Sequence, residues 1–147
     1  NPLYRVLRCD KLTYAILEET LRTYVTPTNI HTDNLTMFLL QRRSSKLEKI
    51  AEKLLQQLSS KVVKKYAIEI RKTEVEAGSG SLPLEKIPSI ALVFTAGMKA
   101  SELGWEFRMA SPPVLGYIHG NHYHIDLKAI PPNQEKSLIS VLQEVLV

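Results

Sequence analysis

Ser89-Ile-Ala-Leu-Val-Phe-Thr95 decides the fold. Seven consecutive residues without a charge, rich in β-branched and aromatic types, read as a strand covered on both sides, the centre of a sheet. Upstream, Tyr66, Ile68 and Ile70 alternate with Ala67, Glu69 and Arg71. That period of two predicts a half-buried strand beside the central one. Downstream, Val114–Ile118 and Tyr123–Leu127 flank His119-Gly120-Asn121-His122. Glycine and asparagine take positive φ readily, so this segment reads as a β-hairpin.

Helices fill the remainder. Asp10 is a candidate N-cap for a helix beginning at Lys11, with Tyr14, Leu17, Leu21 and Tyr24 at helical spacing and Pro27 beyond its end. A polar link over 26–34 precedes a short helix over Leu35–Gln41. Ser44 or Ser45 then caps a longer helix with the stripe Leu47, Ile50, Ala51, Leu54, Leu55, Leu58. Ala100–Met109 reads as a helix with Leu103, Trp105 and Phe107 toward the core. Pro131 and Pro132 open a last helix with Leu138, Leu142 and Val145 on one face. The expected class is α+β, an α/β two-layer sandwich: three to four mostly antiparallel strands with helices on one face. A division is expected near 26–34, with residues 1–29 a helix linking to a larger domain and 30–147 the compact unit.

The chain has 147 residues, 44% of them hydrophobic and 23% charged, enough apolar content for one globular core. No apolar run approaches the 18 or so residues of a membrane span, and no signal-peptide core is present. The single Cys9 excludes an internal disulfide and suits a reducing compartment; burial near a domain junction is expected for it. Net charge is +4, which permits an anionic partner. Ten Lys/Arg against three Glu between Arg42 and Lys72 offer either a surface for RNA or the solvated face of a helix. Aromatic residues do not interleave with those cations before Tyr66, which favours the solvated face.

Arg5 and Arg8 lie three apart. If helical, they share a face and present two guanidiniums to an oxyanion. Gly78-Ser79-Gly80-Ser81 is a turn rather than a phosphate cradle, because no Walker-type lysine follows. His119, His122 and His124 lack a completing ligand set, so no metal site is expected. Lys11 follows a helix cap and reads as a surface position.

Three blocks carry a resemblance. Arg5-x-x-Arg8-x-Asp10-Lys11-Leu12-Thr13, the string Gly78–Pro83, and Pro112-Pro113-Val114-Leu115-Gly116-Tyr117-Ile118 with Ile125-Asp126-Leu127-Lys128 resemble bacterial selenocysteine synthase, the L-seryl-tRNA(Sec) selenium transferase. The resemblance implies the small C-terminal domain of a fold-type-I pyridoxal-phosphate enzyme, cytoplasmic, a homo-oligomeric ring of dimers. It implies a transferase that converts seryl-tRNA(Sec) to selenocysteyl-tRNA(Sec) with selenophosphate. Arg5 and Arg8 would bind that anionic donor. The Schiff-base lysine would lie upstream of this chain, so no cofactor-binding or catalytic residue is expected within it and the piece alone would be inactive. Tyr117 and Lys128 stand where the family usually has arginine, and neither keeps a bidentate fork. They keep two alternatives open: a related fold-type-I enzyme without selenium chemistry, or a stand-alone basic α+β module binding RNA.

Overall fold

A computed structural model describes residues 3–25, 34–77 and 86–146, which fall into two compact units, up to Gln41 and from Arg42 onward. In the first unit a short helix α1 (Leu3–Val6) precedes α2 (Lys11–Val25) and α3 (Leu35–Leu40). Asp10 caps α2: the Thr13 N–H donates to its Oδ1 at 2.7 Å and the Thr13 hydroxyl at 2.8 Å. Asn34 caps α3 through the Met37 N–H at 3.1 Å. None of the three helices holds a buried residue.

The second unit is a four-stranded, fully antiparallel sheet with helices on one face. Its elements are α4 (Ser44–Gln56), α5 (Ser60–Lys65), β1 (Ile68–Glu76), β2 (Lys86–Phe94), α6 (Ala100–Met109), β3 (Tyr117–His119), β4 (His122–Asp126) and α7 (Glu135–Leu146). The strand order β1-β2-β4-β3 makes β2, with β4, an interior strand, as its composition demands. Ile68 faces Phe94, Ala91 faces Asp126, and Tyr117 faces His124. One parity of side chains, Ile68, Ile90, Leu92, Phe94, Tyr123 and Ile125, joins Leu47, Ala51, Leu54, Leu103, Phe107 and Leu142 in a single core. Phe94, Phe107 and Tyr123 meet at its centre with ring centroids 5.5–6.1 Å apart.

Four expectations need correction. Tyr66 does not begin the strand: it caps α5, a helix the alternation had hidden, and Ala67 at φ 42° turns the chain into β1. The strand then runs on to Glu76, where the phase shifts: Thr73 and Val75 are the half-buried positions, on the face opposite to Ile68 and Ile70. Neither Ser44 nor Ser45 caps α4. The helix starts at Ser44 behind an extended Arg43 that makes no side-chain cap bond. The adjacent Arg42 is tied to carbonyls of another segment and holds the incoming chain extended. Trp105 is 57% exposed while Leu103 and Phe107 are buried, as helical spacing two residues off the buried face requires.

The hairpin turn is Gly120-Asn121, with φ of 57° and 63°. That pair of positive values is the twist-matched two-residue turn. Gly116 is fixed for another reason: a Cβ there would run into the His124 carbonyl and the Tyr123 ring. The string Gly78–Pro83 and most of the 26–34 link lie outside the described residues.

Candidate substrate-binding site

The sheet face away from the core is polar. On it, β1 contributes Glu69, Arg71 and Thr73, β2 Ser89, Ala91 and Val93, β4 His124 and Asp126, and β3 Tyr117 and His119, all of one register parity. Asp126 is its hub. The Ser89 hydroxyl donates to Oδ1 at 2.6 Å, the Thr73 hydroxyl to Oδ2 at 2.9 Å, and the Lys128 N–H to Oδ1 at 3.0 Å. Three donors on one carboxylate tie β1, β2 and the turn after β4 together.

Tyr117 stacks on His124, rings 4.9 Å apart and 20° from parallel. His124 is 5% exposed, and burial holds its imidazole below the usual histidine range, opposed by its bond to the His119 carbonyl. The neutral ring donates Nε2–H to that carbonyl at 3.3 Å, which leaves Nδ1 a buried acceptor without a partner. Burial, then the Asp126 charge, push the Tyr117 hydroxyl above its usual value, so it stays a donor. Arg71 is paired with Glu69 (Nε to Oε2, 2.8 Å) and stays on the surface. Tyr117, His119, His124, Arg71, Thr73 and Ser89 border a depression of about 680 Å³, whose rim carries Lys72 and the ion pair of Lys86 with Glu74 at 3.4 Å.

Below the hairpin lies a second polar set, buried and structural. Arg42, 6% exposed, donates Nη1 to the Ile130 carbonyl at 2.5 Å and the Leu127 carbonyl at 3.3 Å, with Glu135 at 3.5 Å from Nη2. Lys128, 4% exposed, donates Nζ to the Arg42 carbonyl at 2.8 Å. Burial lowers the pKa of both. Arg42 therefore drops out of the basic 42–72 surface, while Arg43, Lys46, Lys49, Lys53, Lys61, Lys64 and Lys65 are exposed, as the solvated-face reading expects. Lys128, one of the two departures from the family's arginines, is a staple inside the fold.

The other sequence candidates spread out. Arg5 sits in α1; Arg8 follows one turn on, its N–H donating to the Arg5 carbonyl at 3.4 Å. Both are exposed, without an ion pair among the described residues. Cys9 is exposed rather than buried, because the helices around it bury nothing. Lys11 is exposed at the α2 start. Among the described residues no group of three or more His, Cys, Asp or Glu is arranged for a metal ion. Lys128 donates to a carbonyl and every other lysine is solvent-facing. What sequence reasoning missed is the Asp126–Ser89–Thr73 cluster. Thr73 falls in register with Ser89 only once β1 is extended past Arg71.

Fold and site define an α+β domain with a polar sheet face whose rim is laced with ion pairs. Residues 1–131 match the model of the family described as L-seryl-tRNA selenium transferase, and the chain belongs to that family. It is 33% identical over 146 residues to the L-seryl-tRNA(Sec) selenium transferase of Haemophilus influenzae (strain PittEE), covering 98% of this chain and 31% of that protein. The enzyme of the same name from Photorhabdus laumondii is 36% identical over 146 residues, 97% of this chain and 31% of its own length. That of Salmonella typhimurium is 34% identical over 134 residues, 88% and 29%. The chain thus spans about a third of the length of the curated relatives it matches. No helix among the described residues is long and apolar enough to cross a membrane.

Proposed function

We propose that this chain is the C-terminal portion of a pyridoxal-phosphate-dependent selenium transferase of fold type I. The parent converts seryl-tRNA(Sec) to selenocysteyl-tRNA(Sec) with selenophosphate as donor, in the cytoplasm, as a homo-oligomeric ring of dimers. The observation that carries this is family membership across nearly the whole chain, at about a third of the relatives' length. When bound elsewhere in the parent, pyridoxal phosphate supplies the electron sink for loss of water from the seryl group. No described lysine here takes part, and the piece alone is inactive.

This chain's contribution is to bind and cover. Arg5 and Arg8, exposed and unpaired among the described residues, hold the anionic selenium donor. The α2 face Tyr14, Leu17, Leu21 and Tyr24, each at least half exposed, docks on the cofactor domain. Residues 1–29 form that link and 30–147 the small domain; limited proteolysis tells cleavage within 26–33 from cleavage at the unit boundary after Gln41. Lys128, committed inside the fold, has no substrate role, so its replacement of an arginine does not argue against activity.

The test is Arg8→Ala in the complete enzyme. Each charge-assisted bond to an oxyanion contributes roughly 1.5–3 kcal/mol. Its loss weakens use of selenophosphate by about tenfold to a hundredfold, while water elimination from the seryl group continues. An unchanged selenophosphate dependence would remove the two arginines from the site.

A further inference from the structure

The sheet unit ends on a long, bare edge. β1 pairs with β2 on one side, and among the described residues no strand lies on its other side. The end strand at the opposite edge, β3, covers only Tyr117–His119, whereas β1 runs from Ile68 to Glu76. An unpaired edge of that length is a template for another strand. Charged side chains normally keep such an edge single, and β1 exposes Glu69, Arg71, Lys72, Glu74 and Glu76. Their order of signs, however, suits one particular partner. Lys72 makes no ion pair among the described residues, and Glu74 holds Lys86 of β2 at 3.4 Å on its inner flank, leaving its outer flank open.

We propose that β1 pairs with β1 of a second copy of this chain, antiparallel, about a two-fold axis through Thr73. Residues directly opposite each other in such a pair point to the same face. In this register Lys72 faces Glu74 of the copy, twice over by symmetry, Arg71 faces Val75, Ile70 faces Glu76, and Thr73 faces itself. Glu74 then stands between Lys86 of its own β2 and Lys72 of the copy, and opposite charges across strands are favourable. The same residues disfavour every neighbouring register. An axis at Arg71, Lys72 or Glu74 sets that charge against itself, and one at Val75 sets Glu74 against Glu76. An axis at Ile70 confines the pairing to Ile68–Lys72, because the chain turns at Ala67, with φ 42°. The helices leave room for the contact. α4 rests chiefly on β2. β2 and its copy would lie about 14 Å apart, three strand spacings, so two helices each about 10–12 Å wide fit side by side. The contact belongs to the sheet unit and rests on nothing assigned to the parent.

The experiment is sedimentation velocity on the 147-residue chain over a wide range of concentration. A contact of one strand pair belongs to the small, transient class of interfaces, so a dimer should grow in as concentration rises. Lys72→Glu weakens it by about tenfold or more, Glu74→Lys does the same, and the two exchanges together restore it. Both side chains are exposed, so the urea midpoint of each variant stays close to that of the unaltered chain. A second measurement fixes the axis. Oxidation of Thr73→Cys on a Cys9→Ser background gives a covalent dimer, because opposed Cα atoms of antiparallel strands lie about 4.5–5.5 Å apart, within disulfide reach. Lys72→Cys on the same background stays uncrosslinked, since its own copy lies on the diagonal, about 7–8 Å away. A chain that remains monomeric at every concentration would overturn the proposal. So would a dimer indifferent to Lys72→Glu, a double exchange that fails to restore pairing, or crosslinking through Lys72→Cys in place of Thr73→Cys. A dimer lost with Leu17→Glu and kept with Lys72→Glu would move the contact to the α2 face and overturn it as well.

Discussion

Helices α2 and α4 carry the same kind of apolar stripe and have opposite fates. In α4, Leu47 and Ala51 are 0% exposed and Leu54 is 2% exposed beneath β2. In α2, Leu17 and Leu21 are just over half exposed, and no residue of the helix is buried. Periodicity reports which face of a helix is apolar; it does not report whether a partner for that face lies within the same chain. The second unit supplies its own partner, a sheet whose core parity is continuously apolar. In the first unit every helical residue keeps some exposure, as in an element made to be covered by something else.

The sharpest way to break this contrast is to delete the same kind of side chain in each region. Phe107→Ala empties the meeting point of Phe94 and Tyr123 and costs about 3–5 kcal/mol in denaturant unfolding. A cost under about 1 kcal/mol would mean that the second unit has no cooperative core. Next in size, Asp126→Ala strands the buried Ser89 hydroxyl and frees Thr73, at about 1–3 kcal/mol in the same assay. Asp126→Asn recovers part of this by accepting one hydroxyl.

A pH titration sharpens the account of the sheet face. His124 has its folded-state pKa below the unfolded value near 6.5, so the unfolded chain takes up a proton first. Its contribution is fully present above the unfolded pKa and is lost as pH falls through that value toward the folded one. Stability therefore drops between pH 7 and pH 5, and His124→Phe flattens that window. A drop of equal size in the variant would assign it to other groups. Smallest of all, Leu17→Ala in α2 changes stability by no more than about 0.5 kcal/mol, read as an unchanged urea midpoint.

How legible the chain was follows the same line. The strand β2 was readable because five apolar residues in a row, Ile90 to Phe94, have only one kind of home in a sheet. The turn was readable because Gly120 and Asn121 tolerate positive φ. The helix α5 was not: six residues dominated by lysine and valine carry no period, and only the Ser59 cap marked its start. Trp105 was misplaced because aromatic content suggests core, whereas position on the α6 surface decides it. The polar face was the least legible part. Arg71, Thr73, Ser89, Tyr117, His124 and Asp126 come together through strand order, and strand order is not written in local sequence. Arg42 looked like part of a charged surface because burial of a cation depends on carbonyls 85 to 88 residues away.

Native-state hydrogen exchange tests the contrast most directly: the sheet unit holds its own core, whereas the apolar face of α2 is proposed to be covered in a longer parent. In the 147-residue chain, amides of Leu12–Leu21 should exchange through local opening, far faster than those of Ala91–Phe94, which exchange only with global unfolding. In the complete enzyme the two sets should converge as α2 becomes protected. Equal protection of Leu12–Leu21 and Ala91–Phe94 in this chain by itself would contradict the account.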